Sequence, residues 1–298
     1  MLQMLVSIII PVHKTANFFK MCLESCLAQT YKEIEIIIAC NGGLSIRECK
    51  DFLNIDDARI IYLETKNGRH NARNEALSVA GGTFVQFLDY DDFLFANKFS
   101  AQINLIKENF NHQVSISKWK KFRTNVNEDY TFPFDLMFEE GNLSVGRLIE
   151  KLGQSGGFIA TASWIVSRDL LTGIEWIDSP NDDAVFFSEI CKKNPNVMMV
   201  PQVLAGCRIH DDNTSAIRSQ QQFDLLLKGW SHISNNLKAI RGFQTNLYLY
   251  KSYLYLISYS KSIKRYRLLE VICKSVFYGL KSGLGFNVIR DLRKKILK

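Results

Sequence analysis

Leu5-Val6-Ser7-Ile8-Ile9-Ile10-Pro11, a short run of mostly β-branched apolar residues stopped by a proline, sets the reading of the fold. A second run, Ile34 to Ala39, leads into Asn41-Gly42-Gly43, and Arg59 to Leu63 and Thr83 to Leu88 repeat the theme. Short runs that stay apolar instead of alternating predict strands covered on both faces, as in a parallel sheet. Helical periodicity fills the gaps, over Asn17 to Gln29, Ile46 to Leu53 and Asn71 to Ala80. This alternation predicts a doubly wound α/β sheet whose ligands bind beyond the carboxyl ends of the strands.

Farther along, Phe110 to Gly157 reads as irregular apart from a helix over Ser144 to Leu152. A strand-like Ile159 to Val166, a helix over Ala184 to Cys191 and the short run Val197 to Val200 before Pro201 follow. After Ser215 long helical periodicity dense in Tyr, Leu and Lys takes over, which predicts an α/β domain over 1–215 and a helical C-terminal extension over 216–298. The charge divides at the same place. The chain carries +7 overall, yet Arg218 to Lys298 holds 16 basic and 3 acidic residues, leaving an acidic body and a basic tail.

A hydrophobic content of 47% excludes a disordered chain, and five prolines with 17 glycines exclude a collagen-like one. Seven cysteines without a C-x-x-C pair predict buried thiols in a reducing compartment, not a disulfide framework or a structural zinc site. No secretory leader and no bilayer-spanning run are read in the chain, so a cytoplasmic protein is expected. The Asn-x-Ser triplets at Asn142 and Asn213 then carry no weight as glycosylation sites.

The predicted strand ends gather Pro11-Val12-His13-Lys14, Cys40-Asn41-Gly42-Gly43, Lys66-Asn67-Gly68-Arg69 and Asp89-Tyr90-Asp91-Asp92 on one rim. Neither G-x-G-x-x-G after the first strand nor a P-loop signature occurs, so this rim is of another kind. Asp89, Asp91 and Asp92 repel one another unless a cation lies among them, and Mg²⁺ or Mn²⁺ with phosphate oxygens completing its shell would serve. The alternative is an acidic turn capping a helix that follows at Ala96. Asp182-Asp183, ahead of the helix over Ala184 to Ile190, reads either as a helix cap or as a crowded pair. Crowding raises one carboxyl toward the range of a general base. His210, after Cys207-Arg208-Ile209, can join carboxylate oxygens around Mn²⁺.

Seven segments in register, Ser7-Ile8-Ile9-Ile10-Pro11, Leu27-Ala28-Gln29-Thr30-Tyr31, Glu35-Ile36-Ile37, Asn71-Ala72-Arg73-Asn74, Phe87-Leu88-Asp89-Tyr90-Asp91-Asp92, Asp182-Asp183 and Arg208-Ile209-His210, resemble the family 2 glycosyltransferases of bacterial surface-polysaccharide synthesis. The resemblance spans about residues 5 to 215. It implies the GT-A fold, a Rossmann-like nucleotide-binding sheet flanked by helices. It also implies an enzyme that moves a sugar, with inversion, from a nucleotide diphosphate donor, a UDP-sugar, to a hydroxyl of a glycan or lipid-linked acceptor. By the same resemblance Pro11 and His13 flank the base, and Asp89 contacts the nucleoside with Tyr90 beside it. Asn41 stands where the family usually has Asp and still offers a carbonyl oxygen to uracil N–H. Lys66 and Arg73 shape the donor pocket, Asp91 binds Mn²⁺ or Mg²⁺ with His210 a further ligand, and Asp183 is the catalytic base, with Asp182 the neighbour that could replace it. A sugar nucleotidyltransferase and a silent nucleotide-sugar-binding or membrane scaffold stand as alternatives. The first should carry a Gly-rich phosphate loop where this chain has Pro11-Val12-His13-Lys14.

In the tail, Lys261-Ser262-Ile263-Lys264-Arg265-Tyr266-Arg267 leads into Leu268 to Cys273, and Arg290 to Lys298 adds five cations. This reads as amphipathic helices on the anionic cytoplasmic face of the inner membrane, as a helical layer packed on the catalytic domain, or as both. No recognition module accompanies the charge, so nucleic acid is not an expected partner.

Overall fold

The computed structural model describes residues 4–106, 110–128, 138, 141–155, 158–209, 217, 219–240, 242–262 and 264–296. Its first part follows the expected alternation: β1 (Val6–Val12), α1 (Asn17–Leu27), β2 (Ile34–Cys40), α2 (Ile46–Leu53), β3 (Ile60–Glu64), α3 (Arg69–Val79) and β4 (Phe84–Phe87). β1 lies between β2 and β4, parallel to both, and every one of its residues is buried. It also runs through Pro11 instead of stopping there. The Ile9 carbonyl accepts the Leu88 N–H and the Val12 carbonyl accepts the Asn41 N–H, so odd-numbered residues face β4 and even-numbered ones face β2. Pro11 therefore turns its donor-less nitrogen to the side where β4 has already ended, and no ladder bond is lost.

Beyond β4 the sheet is mixed. β5 (Phe93–Leu94), β6 (Gln113–Phe122), β7 (Gly141–Leu143), β8 (Trp164–Ser167) and β9 (Asn196–Arg208) complete the order β3-β2-β1-β4-β8-β6-β9-β5, with β7 also on β9. β6 corrects the expectation of irregular structure over 110–157. Val114 and Ile116 alternate with Ser115 and Ser117 as a strand requires, but the register against β9 slips between Ser117 and Trp119, so the apolar phase breaks at Lys118. The same slip leaves Pro201 and Gln202 of β9 unpaired with β6, which is where a sheet tolerates proline.

α4 (Lys98–Leu105), α5 (Val145–Ser155) and α6 (Asp182–Lys192) accompany the sheet, and α7 (Gln220–Asn236), α8 (Phe243–Leu256), α9 (Arg265–Lys281) and α10 (Asn287–Ile296) build the C-terminal region. The sheet core reaches into that region at Ile233, Leu237 and Leu249, while Phe223, Tyr250, Tyr253, Leu256, Val271 and Leu292 belong to a second apolar cluster. The expected boundary near residue 216 lies in 210–216, outside the described residues. Among the described residues no helix is long and apolar enough to cross a membrane.

Candidate active site

The loops after β1 to β4 converge on one rim. Gly42 and Gly43 follow β2 at φ +66° and +90°, a region side chains resist, and a Cβ on Gly42 would stand 3.2 Å from His13 Cβ. The turn is thereby drawn against the end of β1. Asn41 donates its amide protons to the Val12 carbonyl at 3.0 Å and the Ala39 carbonyl at 3.5 Å, so its carbonyl oxygen is the group it can offer a ligand. His13 meets the Tyr90 ring edge-on at 5.4 Å between centroids. Burial and then the neighbouring Lys14 lower the His13 pKa, favouring the neutral imidazole. Lys66 is exposed on the loop before α3, and Pro11 is buried within β1.

Each residue of Asn71-Ala72-Arg73-Asn74 has a distinct task on α3. Asn71 donates to the Asn67 carbonyl at 2.7 Å, closing the loop that precedes the helix. Ala72 is buried in the sheet core. Asn74 exchanges two hydrogen bonds with the backbone of Trp176, at 3.0 and 2.8 Å, and so holds that residue beside the helix. Arg73, 1% exposed, lies over the Trp176 ring at 4.0 Å.

Arg73 is the centre of an ion network. Its guanidinium binds Asp89 Oδ1 at 2.6 Å and Asp182 Oδ2 at 2.8 Å, while Arg69, one turn earlier, grips Asp182 through both carboxylate oxygens at 3.0 and 2.8 Å. This fork-on-carboxylate geometry is the strong form of the pair. Burial pushes the Asp89 pKa up, but Arg73 and Arg69 outweigh it and hold the carboxyl below its ordinary value. Asp183, next to the clamped Asp182, is affected in the opposite direction. Burial first, and then the charge on Asp182, raise its pKa to about 6, against the pull of the Ala184 N–H, Arg69 and Arg73. Asp182 and Asp183 occupy the first turn of α6 rather than preceding it, and each accepts the N–H of the residue that follows, at 2.9 and 2.7 Å.

The acidic run after β4 does not cap the next helix, because β5 intervenes and α4 begins only at Lys98. Asp92 is turned inward: it accepts the Arg208 N–H at 3.0 Å, and burial with the charges of Asp91 and Asp89 pushes its pKa well up. Arg208 holds the run from below, donating to the Asp91 carbonyl at 3.1 Å while its guanidinium rests between the rings of Phe18 and Phe122 at 4.4 and 4.3 Å. Asp91 is half-buried and within electrostatic reach of His13. Among the described residues no three His, Cys, Asp or Glu side chains gather as a metal cage. One rim carboxylate completed by phosphate oxygens is nevertheless a donor set that Mg²⁺ or Mn²⁺ accepts, and Asp91 is the residue that would supply it. His210 lies outside the described residues.

The site thus joins Arg73, Asp89, Asp182 and Asp183 directly and sets His13, Tyr90 and Asn41 around the same rim. Sequence reasoning set Arg69 on the rim without giving it a role, and it missed Trp176. Arg69 had a signal in its i, i+4 spacing from Arg73, which puts both on one helix face. Trp176, on a loop without periodicity, had none.

A family model described as Glycosyl transferase family 2 matches residues 7–172, more than half of the chain. The chain is 42% identical over 106 residues to UDP-Glc:alpha-D-GlcNAc-diphosphoundecaprenol beta-1,3-glucosyltransferase WfaP of Escherichia coli, covering 35% of this chain and 41% of that protein. It is 39% identical over 92 residues to glycosyltransferase GlyA of Streptococcus pneumoniae serotype 4, covering 30% of this chain and 13% of GlyA. These matches span well under two thirds of either relative. Among solved structures, S. aureus TarS 1-349 in complex with UDP-GlcNAc superposes with a TM-score of 0.68 at 16% identity, over 98% of this chain and 88% of the other. The fold is shared with that protein.

Proposed function

Because this chain belongs to glycosyl transferase family 2, we propose that it transfers a sugar from a UDP-sugar to a hydroxyl of a glycan or lipid-linked acceptor in surface-polysaccharide synthesis. The observation that carries the reading is the division of labour in Asp182-Asp183. Asp182 is committed to two arginines, while Asp183 is pushed to about 6, the range a base needs to be ionised at neutral pH and still accept a proton.

In this reading Asp183 Oδ takes the acceptor O–H proton as that oxygen forms its bond to the anomeric carbon. The bond from that carbon to the diphosphate breaks on the opposite face and the electron pair leaves with the diphosphate, so configuration inverts. Asp89, fixed by Arg73, faces the nucleoside, with Asn41 and His13 beside the base. Asp91, with His210, would hold a Mg²⁺ or Mn²⁺ ion, whose contribution is to offset charge on the leaving diphosphate. The relatives support these choices, since WfaP is named for a UDP-glucose donor and a diphosphoundecaprenol-linked acceptor and TarS was solved with UDP-GlcNAc. A sugar nucleotidyltransferase, the alternative enzyme, loses its ground with the family match.

A thermal-shift screen of nucleotide sugars with and without Mn²⁺ tests the proposal, because a ligand that binds the folded state raises its stability by mass action. Uridine diphosphate sugars should shift the melt, more so with Mn²⁺. The absence of a shift with every uridine and guanosine diphosphate ligand would refute it.

A further inference from the structure

We propose that the outer face of α9, with the Phe286 turn beyond it, is a docking surface for an anionic phospholipid bilayer. Two opposite faces of this helix carry the argument. Val271, Ser275 and Gly279, four residues apart, are buried on the inner side, and a Cβ on Gly279 would collide with Val288 of α10 and Tyr250 of α8. That side is built for close helix packing. The outer side repeats Tyr266, Leu269, Cys273, Phe277 and Leu280 at intervals of three and four, which sets them in one stripe along the helix. Leu269 and Leu280 are 62% and 59% exposed, and Phe286 at the following turn is 89% exposed. A helix already packed on one side has no folding reason to present a second, continuous apolar stripe to water.

Charge identifies the occupant. Between Lys264 and Lys295 the chain carries nine basic and two acidic residues. Exposed Lys264, Arg265 and Lys281 mark the two ends of the stripe, and Arg290, Arg293 and Lys294 continue on α10. The Lys281 ammonium lies 4.4 Å over the Phe277 ring, an apolar body with a cationic tip such as the headgroup layer accommodates. A second copy of this chain would bring the same positive surface against itself, whereas anionic headgroups neutralise it. Because no described helix can cross a bilayer, the contact would be a surface one.

The test uses vesicles of phosphatidylcholine alone and of an equimolar mixture with phosphatidylglycerol. Cys273 is exposed where the other six thiols are buried or half-buried, so a polarity-sensitive thiol dye placed there reads the stripe directly. The full chain should co-sediment with the anionic vesicles, shift the dye emission to the blue, and release at high salt. Leu269→Ser with Phe277→Ser should weaken partitioning by at least about tenfold, and Lys281→Ala by about fivefold. Melting temperature and sugar transfer to a soluble acceptor should stay as in the wild type, so that loss of vesicle binding and loss of chemistry are told apart. Failure to bind anionic vesicles, equal binding to neutral ones, or an unaffected double variant would overturn the proposal. So would sedimentation showing a self-associated chain that the double variant makes monomeric, since the stripe would then join copies.

Discussion

Replacing Asp183 by Asn should cost the enzyme its activity and make it more stable, and only the combination identifies this carboxylate as the base. Asn keeps the shape and can still accept the Ala184 N–H, so the start of α6 is preserved. Loss of a general base lowers the rate by about 10²- to 10⁴-fold. The stability change follows from the pKa. In the folded protein Asp183 titrates near 6, above the roughly 3.9 of an unfolded aspartate, so the folded state holds this proton more tightly. The group therefore favours folding fully below the unfolded value, and that contribution is lost as pH rises through about 6. At neutral pH the wild type bears an ionised carboxylate beside Asp182, and the neutral amide of the Asp183→Asn variant removes that repulsion. The gap is worth roughly 1–3 kcal/mol after allowing for the part of the side chain that water still screens, or a few degrees of melting temperature. Single-turnover transfer at saturating donor, paired with melts from about pH 5 to about pH 8, reads both effects. A variant with more than about a tenth of wild-type activity, or a stability difference that does not change with pH, would refute the assignment and move the role to Asp182.

The wild-type kcat/KM should rise with pH through about 6, and Asp182→Asn should move that limb downward, because the repelling charge is gone while Arg69 and Arg73 remain. The same substitution should cost up to about 3–5 kcal/mol in a denaturant melt, since it removes an acceptor from a buried arginine, with Asp89 tempering the loss. Asp91→Asn should abolish the Mn²⁺-dependent part of the donor-induced melting shift and mimic chelator treatment of the wild type; an unchanged Mn²⁺ response would place the ion elsewhere. Gly229→Ala on α7 would drive a Cβ into Asn181, the residue that opens α6, so transfer activity should fall although the position lies in the C-terminal region, and an activity equal to wild type would count against that coupling.

What could be read from the sequence was what local pattern encodes. β1 to β4 are unbroken apolar runs, and their ends bear the polar residues that form the rim. β6 was illegible because its apolar alternation breaks at Lys118, where extra residues on β9 slip the register between the two strands. Asp182-Asp183 was visible as a crowded pair, but the division of roles within it was not. It is decided by Arg73, 109 residues away, and by Arg69, 113 away, and no periodicity carries contacts over such separations. The same holds for Asp92, adjacent to Asp91 in sequence yet turned toward Arg208, because β5 pairs with β9 there.

Those long-range contacts also decide how the basic C-terminal region relates to the acidic body. α6 carries Asp183 on its first turn, and α7 grips the same helix along its length. Gly229 leaves just enough room for Asn181, His232 pairs with Glu189 at 2.5 Å, and Asn236 donates to Ser188 at 2.9 Å. α9 is fastened to α7 in turn, with Lys274 donating to Ser231 at 3.0 Å and the Tyr278 and Ser234 hydroxyls 2.5 Å apart. Side-chain contacts across two helix pairs, α9 with α7 and α7 with α6, connect the outer stripe of α9 to the proposed base. With α9 resting on lipid as proposed, those contacts set the height of Asp183 above the bilayer. An acceptor anchored in that bilayer would then have to present its hydroxyl at a fixed distance from the surface, a constraint that a body tethered through a flexible tail could not impose.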